Sequence, residues 1–436
     1  MTTPIDATLS GSPQAPVPVE VAEGKIEGAG PLDMRKAINY SVANLGASVF
    51  YALFNFGMPL YLETYKLPAS LIGLLANERS FVGAFFQPLV GRLSDRTRTP
   101  LGRRRPFFIV GIPLVCGGLI WLATHPPLWE MIGVMAVLAF FLAVAWDPYM
   151  AMMADLFPPL QRGRIGGLLG LGAALGSIIF ALLAKTLWEH NEFLIFMLVA
   201  GALLVTWTYT FFTVKEPPID ESAEQAPKAA KTNPIDYLKS LRQYPEVGKY
   251  VFAVLFFWMG TGGVIPFITL FGEKALHASQ NDTFILPLAA TLANGLFAIP
   301  LGILADRTSK KGVMIGGMVV FGVVGLIGSQ SQNLLQGSIA LAIAGGANAA
   351  MAQINPMLSD LSPRRRMAEF IGLGSAVFSF AQPLGSVVAG LVHDIAVPFV
   401  GDNDAYRWTF LTAGVMILIS ALLLTTVHPE RAVTEE

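Results

Sequence analysis

Three charged side chains lie within stretches of the chain that are otherwise apolar, and these residues have the chemistry that is most easily inferred. Glu78 and Arg79 interrupt the apolar segment 67–91, and Asp147 is the single charge in the segment 131–154. A charge inside a membrane-spanning segment is costly, so it is expected to face the protein interior and to serve a function. A carboxylic acid in such a place can bind and release a proton. We therefore predict proton coupling through Glu78, Arg79 and Asp147.

Each of these charges also has a structural interpretation. Glu78 and Arg79 can form a static buried pair, and Asp147 stands beside Pro148, where a helix kink frees backbone groups. Arg79 is an available partner for an acid that has released its proton. The sequence does not choose between Glu78 and Asp147, because the rotation of each helix decides which acid faces a cavity.

Uncharged polar side chains, most of them in the second half of the chain, are candidates for substrate binding. Amide groups both donate and accept hydrogen bonds, as sugar hydroxyls require, and an aromatic face can stack on a pyranose ring. Each amide can instead form a hydrogen bond between helices. The candidates are Asn55, Trp258, Thr261, Asn294, Asn348, Gln353, Asn355 and Gln382.

The composition places these residues in a membrane. Of 436 residues, 53% are hydrophobic and 14% are charged, and the mean hydropathy is +0.57. Soluble domains carry about 25% charged residues, and one membrane span needs about 20 apolar residues. We conclude that the chain is a polytopic membrane protein, neither a soluble enzyme nor a nucleic-acid binder.

The scarcity of some residue types excludes further classes of protein. The net charge of -1 leaves no basic patch for a phosphate backbone, so no nucleic-acid partner is expected. One cysteine, Cys116, excludes an intramolecular disulfide, and the five histidines are scattered singly. We expect no metal and no cofactor, with a proton as the coupling ion.

Apolar segments with short breaks predict twelve membrane-spanning helices. The segment 312–359 is too long for one span and divides at 329–333. The predicted spans are 37–62, 67–91, 106–124, 131–154, 165–184, 193–214, 250–272, 283–305, two within 312–359, 370–392 and 408–427. The predicted organisation is a disordered tail (1–36), a six-helix bundle (37–214), a linker (215–249), a second six-helix bundle (250–427) and a short tail (428–436).

The distribution of basic residues predicts the orientation. Cytoplasmic loops of membrane proteins are rich in Lys and Arg. If the N-terminus is cytoplasmic, the inside segments hold all of the 29 Lys and Arg residues except Lys66, Arg79, Lys185, Lys274 and Arg407. Both termini, the tails and the linker are therefore predicted to be cytoplasmic.

Two pairs of matching segments show that the two halves of the chain form an internal repeat. The segment 91–97, with the sequence GRLSDRT, follows span two, and the segment 302–308, with the sequence GILADRT, follows span eight. The segment 154–158 closes span four as 359–363 closes span ten, and each has Asp-Leu at its centre. Two parallel six-helix repeats form the major facilitator fold of transporters, whose substrate site lies near the bilayer midplane. The predicted fold class is thus an all-α membrane protein with this fold.

The loop after span two also resembles a known family. Gly91-x-x-x-Asp95-Arg96, followed by Gly102 and three arginines, is similar to the signature loop of the major facilitator superfamily. The longer segment 87–107, with the sequence QPLVGRLSDRTRTPLGRRRPF, resembles the sucrose–proton symporters of plants and their animal and bacterial relatives. The first resemblance extends over the chain from about residue 37, and the second is concentrated in spans one to three.

The superfamily resemblance implies a cytoplasmic gate. Asp95 would cap the start of span eleven near 367–370, where the helix dipole favours a negative charge. By the repeat, Asp306 would face the start of span five. Such contacts exist only while the cytoplasmic side is closed, so they would favour the outward-open state. The implied gate includes two ion pairs, Arg96 with Asp155 and Arg307 with Asp360.

These observations lead to one functional expectation and two alternatives. We expect a proton-coupled symporter of a neutral sugar, a disaccharide or glucoside such as sucrose or maltose, that acts as a monomer in the plasma or inner membrane. One alternative is proton-driven efflux of amphipathic compounds. By the resemblance, such antiporters carry a Gly-Pro pair in span five, which the segment 172–177 lacks. The other alternative is a receptor or assembly protein on the same fold, without transport.

Overall fold

The chain folds as a bundle of membrane-spanning helices. The computed structural model describes residues 32–216, 243–363 and 366–431, apart from the side chains of 78–85, 88 and 368. We number the spans α1 to α12 and call α1–α6 the first half and α7–α12 the second half. They are α1 Met34–Glu63, α2 Ala69–Ala76 with Glu78–Arg96, α3 Pro106–Leu122, α4 Leu128–Leu156, α5 Pro159–Leu187, α6 Glu192–Thr213, α7 Pro245–Ala275, α8 Gln280–Arg307, α9 Lys310–Gly328, α10 Leu334–Leu361, α11 Met367–Val400 and α12 Asp402–Thr425.

Within the described residues, ten helices are long and apolar enough to cross a membrane. The other two spans are α3, which is shorter, and α2, which breaks at Asn77. The prediction of an all-helical, twelve-span protein is confirmed.

Most of the helices extend beyond the apolar segments that predicted them at one or both ends. The largest difference is in α11, which was expected to end near residue 392 and runs to Val400. His393 and Asp394 interrupt the apolar pattern there without ending the helix. Their polar groups contact each other at 3.1 Å, and the carboxylate also bonds to α2. A polar residue therefore marked the end of the apolar pattern and not the end of the helix.

Three helices contain irregular turns near the middle of the bundle. A π segment, Leu53–Gly57, interrupts α1, and a 3₁₀ turn, Ile265–Phe267, interrupts α7. A second 3₁₀ segment, Ala349–Gln353, lies in α10. Such irregular turns are frequent at functional sites because they free backbone groups from the helical pattern. One freed carbonyl, that of Phe56, accepts a hydrogen bond from Thr269 Oγ1 of α7 at 2.8 Å.

Glycine allows close helix contact within each half. A Cβ on Gly176 of α5 would lie 2.7 Å from the carbonyl oxygen of Leu45 in α1. A Cβ on Gly385 of α11 would overlap the carbonyl oxygen of Met259 in α7. A larger residue at either position would force the helices apart.

The two halves are joined mainly at one end of the bundle. We call the end with the loops after α2, α4, α8 and α10 the basic face and the other end the opposite face. The ion pair between Lys274 and Glu63 (3.0 Å) and the bond from Asn77 to Ser386 (2.7 Å) join the halves toward the opposite face. At the basic face, the Asp95 side chain is 59% exposed. The structure is therefore closed at the opposite face and open at the basic face.

Candidate functional site

A large cavity lies between the two halves. It consists of a lower chamber of about 880 Å³ toward the basic face and an upper chamber of about 500 Å³. We call the two together the central cavity. The chambers share a ring of residues from both halves: Gln87, Trp146, Asp147, Trp258, Phe378 and Ser379.

Asp147 lies where the two chambers meet. Its Oδ2 atom is buried and has no hydrogen-bond partner among the described residues. The next residue, Pro148, lacks a backbone N–H, so the regular hydrogen bonding of α4 is interrupted beside the acid. Two reciprocal bonds between Tyr40 and Tyr149, of 2.9 and 2.8 Å, fix this part of α4 against α1. The acid is thus held on a rigid element with one oxygen available to a proton or a substrate hydroxyl.

The second predicted acid is not placed by the structure. The side chains of Glu78 and Arg79 lie outside the described residues, although the backbone of α2 is described there. Among the described residues, Asp147 is the one charged side chain that lines the central cavity.

Two aromatic pairs face each other across the cavity. In the first half, the rings of Tyr51 and Trp146 meet edge to face, with centroids 5.5 Å apart. In the second half, Trp258 and Phe378 do the same at 4.6 Å. In each pair, one ring packs against the edge of the other and holds its apolar face in a fixed orientation.

Four of the eight predicted substrate residues line the central cavity. Asn55, in the π segment of α1, and Gln382 line the upper chamber, Asn355 lines the lower one, and Trp258 lines both. The structure adds polar residues that the sequence analysis missed. Asn77 lies at the break in α2, which the hydropathy of the segment 67–91 did not reveal. Gln87 belongs to the segment 87–107, which was used for the family resemblance and not considered for substrate binding.

The other four predicted residues do not line the central cavity. Thr261, Asn294 and Asn348 line a separate pocket of about 330 Å³ among α5, α7, α8 and α10. Asn294 donates to the carbonyl of Gly345 at 3.1 Å, which is an interhelical bond of the kind considered as the alternative. Gln353 is buried and lines neither chamber. Helix rotation is the reason for each of these differences.

The predicted ion pair between Arg96 and Asp155 does not form. Asp155 instead accepts hydrogen bonds from Arg103 (3.0 Å) and from Nε of Arg104 (2.6 Å). Arg104 also lies 3.5 Å from Asp95. Arg103 and Arg104 reach Asp155 because they lie just before α3, which packs against α4. Arg96 is exposed at the end of α2.

In the second half, too, the acid pairs with a different base from the one predicted. Asp360 was predicted to pair with Arg307, but it pairs with Lys310 at 2.6 Å. In both halves, the acid at the end of α4 or α10 binds a base at the start of the preceding helix. Asp306 is exposed, as is Asp95, and neither caps α5 or α11 in this conformation. The two capping contacts were predicted only for a closed basic face, and this face is open here.

The sequence analysis also missed Glu216, which follows α6. Its carboxylate accepts from the backbone N–H groups of Arg103 (2.8 Å), Arg104 (2.9 Å) and Arg105 (2.7 Å). Gly102 has a φ of +107°, and a Cβ there would lie 2.7 Å from the Glu216 carboxyl carbon. Three successive N–H groups at a helix start form an anion-binding site. This contact fixes the beginning of the linker against the loop between α2 and α3.

Metal ligation receives no support within the described part of the chain. There, no group of three or more His, Cys, Asp and Glu side chains could hold a metal ion. Among the described residues, the lining of the central cavity offers one carboxylate, several amides and hydroxyls, and aromatic rings.

Comparison with known proteins agrees with this architecture. The family model of the Major Facilitator Superfamily matches residues 40–293 and 251–436. An uncharacterized MFS-type transporter of Methanocaldococcus jannaschii is 24% identical over 84% of this chain and 88% of its own length. Multidrug resistance protein MdtG of Klebsiella pneumoniae is 23% identical over 89% of this chain and 92% of its own length.

A solved structure has the same fold. A bacterial homolog of the human lysosomal transporter Spinster, in an inward-facing and occupied conformation, superposes with a TM-score of 0.69 at 13% identity. The match covers 92% of this chain and 96% of the other. The narrower resemblance to sucrose–proton symporters is not supported by these relatives.

Proposed function

The chain belongs to the Major Facilitator Superfamily, and we propose that it is a proton-coupled symporter of a neutral sugar, a disaccharide or glucoside such as sucrose or maltose. It is a multi-pass membrane transporter of small molecules and not an enzyme. The observation that supports the proposal is the lining of the central cavity, in which one carboxylate lies among amides, hydroxyls and two aromatic pairs.

The lining suits a neutral polyol. A sugar ring has apolar faces and a rim of hydroxyls, and the pairs of Trp146 and Trp258 offer surfaces for the faces. Asn55, Gln382 and Asn355 both donate and accept hydrogen bonds, as the rim requires. Sites for small ligands usually have volumes of about 300–1,000 Å³, and each chamber lies within this range.

Asp147 is the residue that we propose carries the proton. It lines both chambers and has an oxygen without a partner among the described residues. A proton on this oxygen removes the negative charge and creates a donor for a substrate hydroxyl, so proton and sugar would bind together. The release of one would then favour the release of the other.

The transport cycle follows from the closure at one face. Lys and Arg residues assign the basic face to the cytoplasm, so the present state corresponds to an inward-facing carrier. Transport requires the halves to separate at the opposite face and to close at the basic face, around a site that stays between them.

Efflux of amphipathic compounds is the second candidate function. The relative named as a multidrug resistance protein favours it. The same acid and rings would also suit a lipophilic cation, because an aromatic face attracts positive charge. A sugar differs from such a cation in having no charge, so the two candidates predict different ligands.

Reconstitution of the purified full chain in liposomes tests the proposal. With an inward proton gradient, we expect accumulation of labelled sucrose or maltose above the outside concentration, and no effect of the gradient on ethidium. Accumulation should disappear when the gradient is dissipated. Failure to accumulate a disaccharide, together with proton-driven transport of ethidium, would establish the second candidate in its place.

A further inference from the structure

A carboxylate of the second half holds the start of a helix of the first half. Asp394 of α11 accepts hydrogen bonds from the backbone N–H groups of Ala69 (2.9 Å) and Ser70 (3.1 Å) at the start of α2. The first N–H groups of a helix have no partner within it, and the helix dipole gives this end a positive potential. The contact therefore ties the halves together by charge and by two hydrogen bonds.

Neighbouring rings orient this carboxylate. His393 Nδ1 lies 3.1 Å from Asp394 Oδ1, and the His393 side chain is 3% exposed. The imidazole packs on Tyr406 of α12, with ring centroids 4.1 Å apart. A buried ring on one side and a helix start on the other leave Asp394 little freedom to turn toward solvent. His393 thus acts as a positioning residue for Asp394.

The contacts between α2 and α11 continue toward the central cavity. Asn77, at the break in α2, donates to Ser386 Oγ of α11 at 2.7 Å, and Ser386 Oγ donates to the carbonyl of Gly262 in α7 at 2.8 Å. A Cβ on Gly390 of α11 would lie 2.5 Å from the backbone nitrogen of Ser70. The backbones of α2 and α11 therefore touch, which closes the route from the cavity to the opposite face.

We propose that Asp394 is the latch of the opposite-face gate. Its bonds to α2 exist only while the halves are closed at that face, so they stabilise the inward-facing state and must break before substrate enters from the opposite face. Asp95 is expected to act in the reverse sense at the basic face. The proposal rests on the alternating access of the proposed function, but not on the identity of the substrate.

The latch predicts a reciprocal change in the two faces. Asp394→Asn should lower the ratio of inward-facing to outward-facing molecules roughly ten- to a hundredfold, since hydrogen bonds to a charged group contribute about 1.5–3 kcal/mol. A merely structural role would lower stability without opening one face as the other closes.

Spin-label distances in the reconstituted full chain measure this change. With Cys116 replaced by alanine, one pair of labels at Lys66 and Phe399 reports on the opposite face. A second pair at Leu160 and Thr308 reports on the basic face. In Asp394→Asn, the first distance should shift to longer values and the second to shorter ones.

Two further variants separate the possible outcomes. Asp404→Asn is the matched control, because Asp404 pairs with Arg407 within α12 and should change neither distance. Ser386→Ala removes the bond from Asn77 without removing a charge, and should produce a smaller shift in the same direction as Asp394→Asn. If Asp394→Asn fails to fold, Ser386→Ala still tests whether the contacts between α2 and α11 keep the opposite face closed.

The distances also separate this proposal from the proposed function. If the parent protein shows two populations and Asp394→Asn leaves their ratio unchanged, the latch is refuted while alternating access stands. If the parent and every variant show a single population at both faces, alternating access itself is refuted.

Discussion

Neutralising Asp147 should abolish uphill transport while leaving downhill exchange intact. Asp147→Asn is nearly isosteric, so the shape of the central cavity and the aromatic pairs should persist. The change removes the titratable oxygen that lacks a partner among the described residues. A symported proton contributes about 2.3 kcal/mol at a membrane potential of 100 mV. Because a factor of ten corresponds to about 1.4 kcal/mol, the parent protein should accumulate substrate about 40-fold and the variant not at all.

The assay is potential-driven uptake of labelled sucrose or maltose in proteoliposomes, followed by counterflow without a gradient. Glu130→Gln is the matched control, because Glu130 lies at the other end of the same helix, is exposed and does not line the cavity. It should behave as the parent does in both measurements.

Glu78→Gln completes the experiment, because the sequence offered Glu78 as the other acid within a span. We expect this variant to retain accumulation. If Asp147→Asn still concentrates substrate, the assignment of the proton to Asp147 is wrong. If Glu78→Gln alone then loses accumulation, the proton is carried on α2.

Three further predictions concern the gate, the substrate and the fold. Asp95→Asn should shift the carrier further toward inward-facing, because it removes the charge expected to close the basic face; an unchanged distance between labels at that face would count against the gate. Trp258→Ala should weaken disaccharide binding at least tenfold, measured as loss of ligand-induced thermal stabilisation, whereas the 81% exposed Trp129, changed to alanine, should leave it unaltered. Glu216→Gln should lower the free energy of unfolding by about 2 kcal/mol, because a carboxylate that binds three N–H groups is lost. An unchanged unfolding midpoint would show that this contact is dispensable.

The sequence alone was sufficient for the twelve helices and for identifying Asp147 as a charge within a span. In a bilayer each span must satisfy its own backbone hydrogen bonds, so its signal is local and survives without knowledge of its neighbours. A lone charge in such a span is conspicuous for the same reason. The match between the segments 91–97 and 302–308 also showed that the chain consists of two six-helix repeats, since both copies could be compared within one chain.

The tertiary structure alone decided which polar groups share a site. Asn55 and Gln382 line the central cavity while Asn294 and Asn348 do not, although all four are amides within apolar helices. Rotation about the helix axis separates them, and that rotation is set by packing against other helices. Hydropathy averaged along a span contains no information about it.

The contacts of the acidic residues Asp155 and Asp394 show the same limit most clearly. Asp155 binds Arg103 and Arg104, which the signature loop offered together with Arg96 as equally basic partners. Asp394 binds the start of α2, 325 residues before it in the chain. The sequence determined that these charges exist and in which helices they lie. Helix packing decided their partners, within the first half for Asp155 and between the halves for Asp394. A contact between distant segments depends on the positions of both, and neither segment alone determines it.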